Sequence, residues 1–187
     1  DGLMDRPSAL LATRNGDLWA AGSHENSAAT AQLHPSILRQ DPGQAPLRTG
    51  KAGRQTWSRQ THPKLSGTIF QSAVCEAPDG SLWFGAWEGG GVELGQLGGV
   101  LQYDPVKAQV EAQSPWVHHT ELGVPHKSLS IVSTPDGNLW SGTHGIKRFD
   151  GQTWTMLDGP GLPPPNSIVE ALHATPEGDL WVGTWHY

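Results

Sequence analysis

Nine histidines are the side chains of this 187-residue sequence best suited to bind a metal or carry a proton near neutral pH. His24, His118, His126, His144 and His186 supply imidazoles, Glu25, Glu88 and Glu93 supply carboxylates, and Trp87 and Trp185 supply flat faces on which a sugar or heterocycle could stack. Their spacing fits no metal motif: no His-Glu-x-x-His run exists, and the adjacent His118 and His119 would point to opposite faces of a strand. There is no Gly-x-Ser-x-Gly elbow. The run Glu88-Gly89-Gly90-Gly91 reads as flexible chain rather than as a phosphate cradle, because no strand-to-helix junction follows it. Cys75 is the single cysteine, so no internal disulfide forms, and it reads as a small buried hydrophobe. The expectation is therefore no catalytic residue set, no metal site and no cofactor, with a metal held by histidines as the alternative.

Such residues need a scaffold, and the composition says which kind. The 24 Gly, 15 Pro and 9 Trp, with only 16% charged residues, suit many short strands joined by tight turns. A net charge of −6 with scattered Lys and Arg argues against a nucleic-acid partner. No apolar run approaches the roughly 20 residues of a membrane-spanning helix, so no membrane insertion is expected of this segment.

Four segments align without gaps: Thr13 to Ala21, Ala77 to Gly85, Thr134 to Gly142 and Thr175 to Gly183. Each holds an acidic or amide residue, then Gly, then Leu-Trp two residues later: Asn15-Gly16 before Trp19, Asp79-Gly80 before Trp83, Asp136-Gly137 before Trp140, Glu177-Gly178 before Trp181. Such pairs between apolar stretches predict hairpins with type I′ turns. Upstream lies a strand, a, with Leu10, Val74, Ile131 and Leu172 beside the small Ala9, Ala73, Ser130 and Ala171. The Leu-Trp strand is b. Its four tryptophans read as core. A second recurring block ends in Asp41, Asp104 and Asp150 and gives strand c, and Trp57, Trp116 and Trp154 mark strand d. Four strands per unit, with Trp140 and Trp181 41 residues apart, predict an all-β fold of β-propeller blades. The units fall at about 1–60, 61–120, 121–160 and a half blade at 161–187 of a single propeller segment.

The stretch Asp-Gly-Asn-Leu-Trp-Ser-Gly-Thr followed by Gly-Ile-Lys-Arg-Phe-Asp-Gly-Gln-Thr-Trp, 136 to 154, resembles the two-component regulator propeller repeat. The resemblance implies a sensor propeller of a bacterial signalling protein, periplasmic or extracellular, that binds a ligand. Pro78 to Phe84 is also similar to the repeats of virginiamycin B lyase-type propellers. The shared motif is scaffold in both, so neither resemblance carries functional residues across.

The connections vary where the repeat does not. From the b Trp to the c Asp the count is 22, 21 and 10 residues, so about Gly22 to Pro35 and Glu88 to Gly98 are insertions. In an up-and-down blade the b–c and d–a connections share one rim, where loops on a rigid scaffold bind ligands, although surface loops also lengthen at little cost. Eight histidines (His24, His34, His62, His118, His119, His126, His144 and His186) fall on that rim or its strand ends. His173 falls inside a strand and reads as core. The expected function is recognition of a small molecule or carbohydrate on this rim by His24, Glu25, Trp87, Glu88, His118, His126, His144, Trp185 and His186. A lyase or hydrolase using rim His and Glu, or a protein-interaction scaffold, are the alternatives, and enzymatic activity is the lesser expectation. Three blades and a half further predict partners: the remaining blades of a longer propeller, or self-association.

Overall fold

A computed structural model of the chain describes residues 6–26, 32–40, 57–60, 69–88, 99–110, 113–119 and 128–185. Among them the strands are β1 (Arg6–Ala12), β2 (Leu18–Asn26), β3 (Gln32–Gln40), β4 (Trp57–Gln60), β5 (Ile69–Glu76), β6 (Leu82–Glu88) and β7 (Gly99–Tyr103). They continue with β8 (Trp116–His119), β9 (Ser130–Ser133), β10 (Leu139–Thr143), β11 (Gly145–Phe149), β12 (Trp154–Leu157), β13 (Ile168–Ala174) and β14 (Leu180–Trp185). They pair antiparallel in sequence order as three four-stranded sheets, β1–β4, β5–β8 and β9–β12, and one two-stranded sheet, β13–β14. These sheets are propeller blades, as the repeat predicts, and among the described residues they do not close into a ring. Among the described residues the one helical element is a 3-10 turn at Lys107–Gln109.

The hairpin turns stand where the Gly pairs place them, but their type differs. Gly16 N donates to Thr13 O at 2.9 Å while Thr13 N donates to Asp17 O at 2.9 Å, and residues 77–81, 134–138 and 175–179 repeat the pattern. That is a type I turn whose fourth residue is a left-handed glycine, with φ of 87°, 84°, 89° and 98° at Gly16, Gly80, Gly137 and Gly178. A type I′ turn would instead close the chain between residues 14 and 17. The side chain just before the glycine straps the turn: Asp17, Ser81 and Asn138 donate their N–H to Asn15, Asp79 and Asp136 Oδ1 at 3.1, 2.9 and 3.2 Å. The turn then satisfies the indole buried beneath it. Trp83 Nε1 donates to Ser81 Oγ at 2.8 Å and Trp140 Nε1 to Thr134 Oγ1 at 2.9 Å.

Strand a of each sheet lies against strand a of the next, which makes it the inner strand. Period-two alternation along strand b then assigns one face to each neighbour. Leu82 and Phe84 point back into the first seam with Leu101, Tyr103 and Trp116, where they meet Trp19 and Ala21 of the sheet before. Trp83 points forward with Cys75 and Val100 into the second seam, against Ile131, Leu139, Phe149 and Trp154. The pairing recurs: the tryptophan of strand b meets a strand-c aromatic of the following sheet, Trp19 to Tyr103 at 5.0 Å and Trp83 to Phe149 at 5.5 Å between ring centroids. Burial pushes the Cys75 thiol far above its ordinary range, as expected of an inert core group.

Burial follows the neighbour rather than the motif. Trp19 is 1% exposed and Trp83 4%, but Trp140 is half-buried and Trp181 is 69% exposed, against the expectation of four core tryptophans. His173 is exposed too, not core, because it pairs with Trp181 and shares its forward face. At the other end of the stack Leu10, on the backward face, is 67% exposed.

Small polar groups stitch the seams. Arg14 bridges to Glu76 at 3.3 Å and donates to the Ala77 and Pro78 carbonyls, while Ser133 Oγ donates to Glu76 O at 2.7 Å. The c–d turns are held by Asp104 and Asp150, which accept backbone N–H groups of residues 106–107 and 152–153. Hydrogen bonds hold three turn carboxyls below the ordinary aspartate value: from the Lys107 backbone to Asp104, from the Thr134 hydroxyl to Asp136 and from the Thr153 backbone to Asp150. A depressed folded-state pKa means that the unfolded chain takes up protons first as pH falls, so this stabilisation is full above the unfolded value and disappears below the folded one. The urea midpoint is expected to hold steady from neutral pH and to drop below the ordinary aspartate pKa, with a shallower drop for Asp136→Asn. A drop of equal depth in that variant would rule Asp136 out as a contributor.

Candidate functional site

The rim formed by the b–c and d–a connections is built on the ends of strand b. Ser23, Trp87, His144 and Trp185 occupy the same place there in successive sheets. In the first sheet the extra b–c residues are not a loop throughout: β2 and β3 continue pairing to Asn26 and Gln32, with His24 opposite His34 and Glu25 opposite Leu33. In the second, Trp87 stands opposite Phe70 and Glu88 opposite Ile69. His118 lies in β8 opposite Leu101 and is half-buried. His126 and His186 lie outside the described residues, as do His62 and Glu93.

The structure brings two of the expected site residues onto one line. His144 caps the short b–c turn of the third sheet, where Thr143 pairs with Gly145, and it forms a bridge to Ile168 of the next sheet. Ile168 in turn pairs with Trp185. Residues directly opposite across antiparallel strands project to the same side, so His144 and Trp185 flank Ile168 at about 10 Å from each other, two strand spacings. Both are exposed, Trp185 by 55%.

The floor of this line is fixed by close packing. Gly145 adopts φ of 77°, and a Cβ there would stand 3.0 Å from both Met156 Sδ and Pro165 Cα, so the d–a connection rests directly on the b–c turn. Gly145 N donates to Ser167 O at 2.8 Å, and Ser167 N to Pro164 O at 2.9 Å. Beside it opens an apolar cleft of about 640 Å³, lined by Trp140, Ile146, Leu157, Leu162, Pro163 and Trp181. It lies where the two-stranded sheet faces the wider third sheet. A largely apolar recess whose lining includes Ile146, two residues from His144, and Thr184, next to Trp185, suits a small ligand that has a flat apolar face and hydrogen-bonding groups.

Sequence reasoning did not find this cleft, since its walls come from a width difference between sheets. It also missed where His119 goes: the ring stacks on Trp83 at 4.8 Å, meets Phe149 edge-on at 5.6 Å and lies 3.4 Å from Gln102 Oε1, inside the second seam. The signal was parity. Trp116 points backward, so His119, three residues on, points forward toward the following sheet.

Among the described residues no group of three or more His, Cys, Asp or Glu side chains is placed to hold a metal ion, and no helix is long and apolar enough to cross a membrane. Residues 163–186, which span the end of the d–a connection, β13, its turn and β14, match the model of the two component regulator propeller family. No curated protein matches the chain.

Proposed function

We propose that this chain, which carries a propeller repeat of the two-component regulator family, is the ligand-recognising segment of a bacterial signalling protein and acts outside the cytoplasm. The ligand is a small molecule or carbohydrate, taken on the b–c/d–a rim. One observation carries this reading: His144 and Trp185 stand exposed on a single line through Ile168, above a packed floor and beside an apolar cleft. An indole stacks on the apolar face of a sugar ring and an imidazole offers both a donor and an acceptor. His24, Glu25, Trp87, Glu88, His118, His126 and His186 are the further ligand contacts of this reading, and the half-blade's exposed Trp181 suits contact with further blades.

Titration of the chain with a panel of soluble oligosaccharides and sugar acids, followed by tryptophan fluorescence, tests the rim. Any binder found is expected to lose about tenfold or more in affinity in His144→Ala and in Trp185→Ala, the loss of about 1.4 kcal/mol typical of a contact at the centre of a site. Both changes are at exposed positions, so the unfolding midpoint should stay within about 0.5 kcal/mol of the parent. Unchanged affinity in both variants would sink the proposal.

A further inference from the structure

We propose that Asn15-Gly16 is a site of spontaneous backbone modification which the folded turn holds in check, and whose conversion to a carboxylate loosens the first sheet. It is the only Asn-Gly pair in the chain. In this chemistry the Gly16 amide nitrogen, its proton given up to solvent base, attacks Asn15 Cγ, and the side-chain nitrogen leaves as ammonia. Water then opens the cyclic imide at either carbonyl, leaving an aspartyl or an isoaspartyl linkage. The balance is one water consumed and one ammonia released.

Among the described residues nothing shields the pair sterically. Asn15 and Gly16 are exposed, and a Cβ at Gly16 would meet nothing within 4 Å. Hydrogen bonds restrain it instead. Gly16 N–H, which must be lost, donates to Thr13 O at 2.9 Å. Asn15 Oδ1 accepts from Asp17 N at 3.1 Å and from the Thr13 hydroxyl, and Nδ2 donates to Asp17 Oδ2 at 3.2 Å. These contacts tie the carboxamide to Thr13 and Asp17, while the turn bond occupies the nitrogen that would attack it. Cyclisation must therefore await an opening of the turn.

The same contacts define what the product does. Asp17 is 3% exposed, and a new carboxylate at position 15 would replace the amide N–H that its Oδ2 accepts with a second negative charge. The second and third turns avoid that clash. Asp79 faces the neutral Ser81, and Asp136 receives both the N–H and the side-chain amide of Asn138. In the fourth turn, where Glu177 and Asp179 are both acidic, the Asp179 N–H goes to Thr175 Oγ1 instead, at 3.1 Å.

The test holds the native chain and the same chain in urea at mildly alkaline pH, and follows the amide-to-acid mass gain and isoaspartyl content of the peptide containing Asn15. The unfolded chain is expected to convert more than about tenfold faster, since the native turn must open first. In parallel, Asn15→Asp should lower the urea midpoint, and adding Asp17→Asn, which recreates the order of the third turn, should restore it. A native rate equal to the unfolded rate overturns the protection. A midpoint unchanged by Asn15→Asp overturns the loosening.

Discussion

Trp83→Ala is expected to cost about 3–5 kcal/mol, the range for removing a fully packed aromatic, whereas Trp181→Ala, at the same place in the repeat, should cost less than about 0.5 kcal/mol. Trp83 is 4% exposed between two sheets, in contact with His119 and Phe149, and its indole N–H is satisfied by Ser81 Oγ. Its removal leaves a cavity that rigid strands cannot collapse, and strands the ring partners on one side. Trp181 is 69% exposed, and among the described residues no further sheet packs on its face. Urea midpoints of the two variants measure the difference directly. Equal costs would mean that the motif tryptophan stabilises its own hairpin rather than the seam, contrary to the packing described above. If a further blade covers Trp181 in the cell, the cost of Trp181→Ala should rise once that blade is added.

A matching contrast is expected for the glycine two residues further along strand b. Gly142→Ala should cost about 1–3 kcal/mol, the usual penalty for overpacking, while Gly183→Ala should be close to neutral. A Cβ on Gly142 would stand 2.7 Å from Val169 Cγ1 and 2.9 Å from Val169 O, and it would also collide with Ser130 Oγ. Two of these obstacles are in strand a of the next sheet, one of them backbone, so relief requires β13 to shift. Such a shift would pull on the Gly145 N to Ser167 O bond that docks the two sheets. At Gly183 the nearest atom is Ala171 Cβ at 3.3 Å, in its own hairpin. Hydrogen exchange of β13 amides, faster in Gly142→Ala and unchanged in Gly183→Ala, would locate the loss at the seam. Equal exchange in the two variants would count against it.

What could be read from residues alone was whatever local chemistry dictates. The Gly after Asn15, Asp79, Asp136 and Glu177 fixes four hairpins, because the left-handed residue of each turn admits glycine at little cost. The turn type was mistaken, although Pro78, Pro135 and Pro176 carried the right signal: proline presets φ at the second position of a type I turn. Burial was legible only where a neighbour follows. Nothing around Trp181 distinguishes it from Trp83; the difference lies in the sheet that meets it. The same holds for His173, which aligns with the buried Cys75 yet is exposed. As for the rim, counting residues between blocks located its insertions, but not that part of the first continues as strand. The His144–Ile168–Trp185 line depends on a bridge between sheets, which no within-repeat pattern encodes.

The two faces that meet at each of the first two seams are chemically different: the earlier sheet offers the tryptophan of its strand b, and the later one an aromatic and a tryptophan from its strands c and d. The stack therefore has a direction. A seam of this kind is heterologous, head to tail, since it joins the forward face of one sheet to the backward face of the next. It cannot produce an isologous two-fold dimer. Copies joined in this way would either close into a ring, if the turn from blade to blade divides the circle, or grow as an open filament.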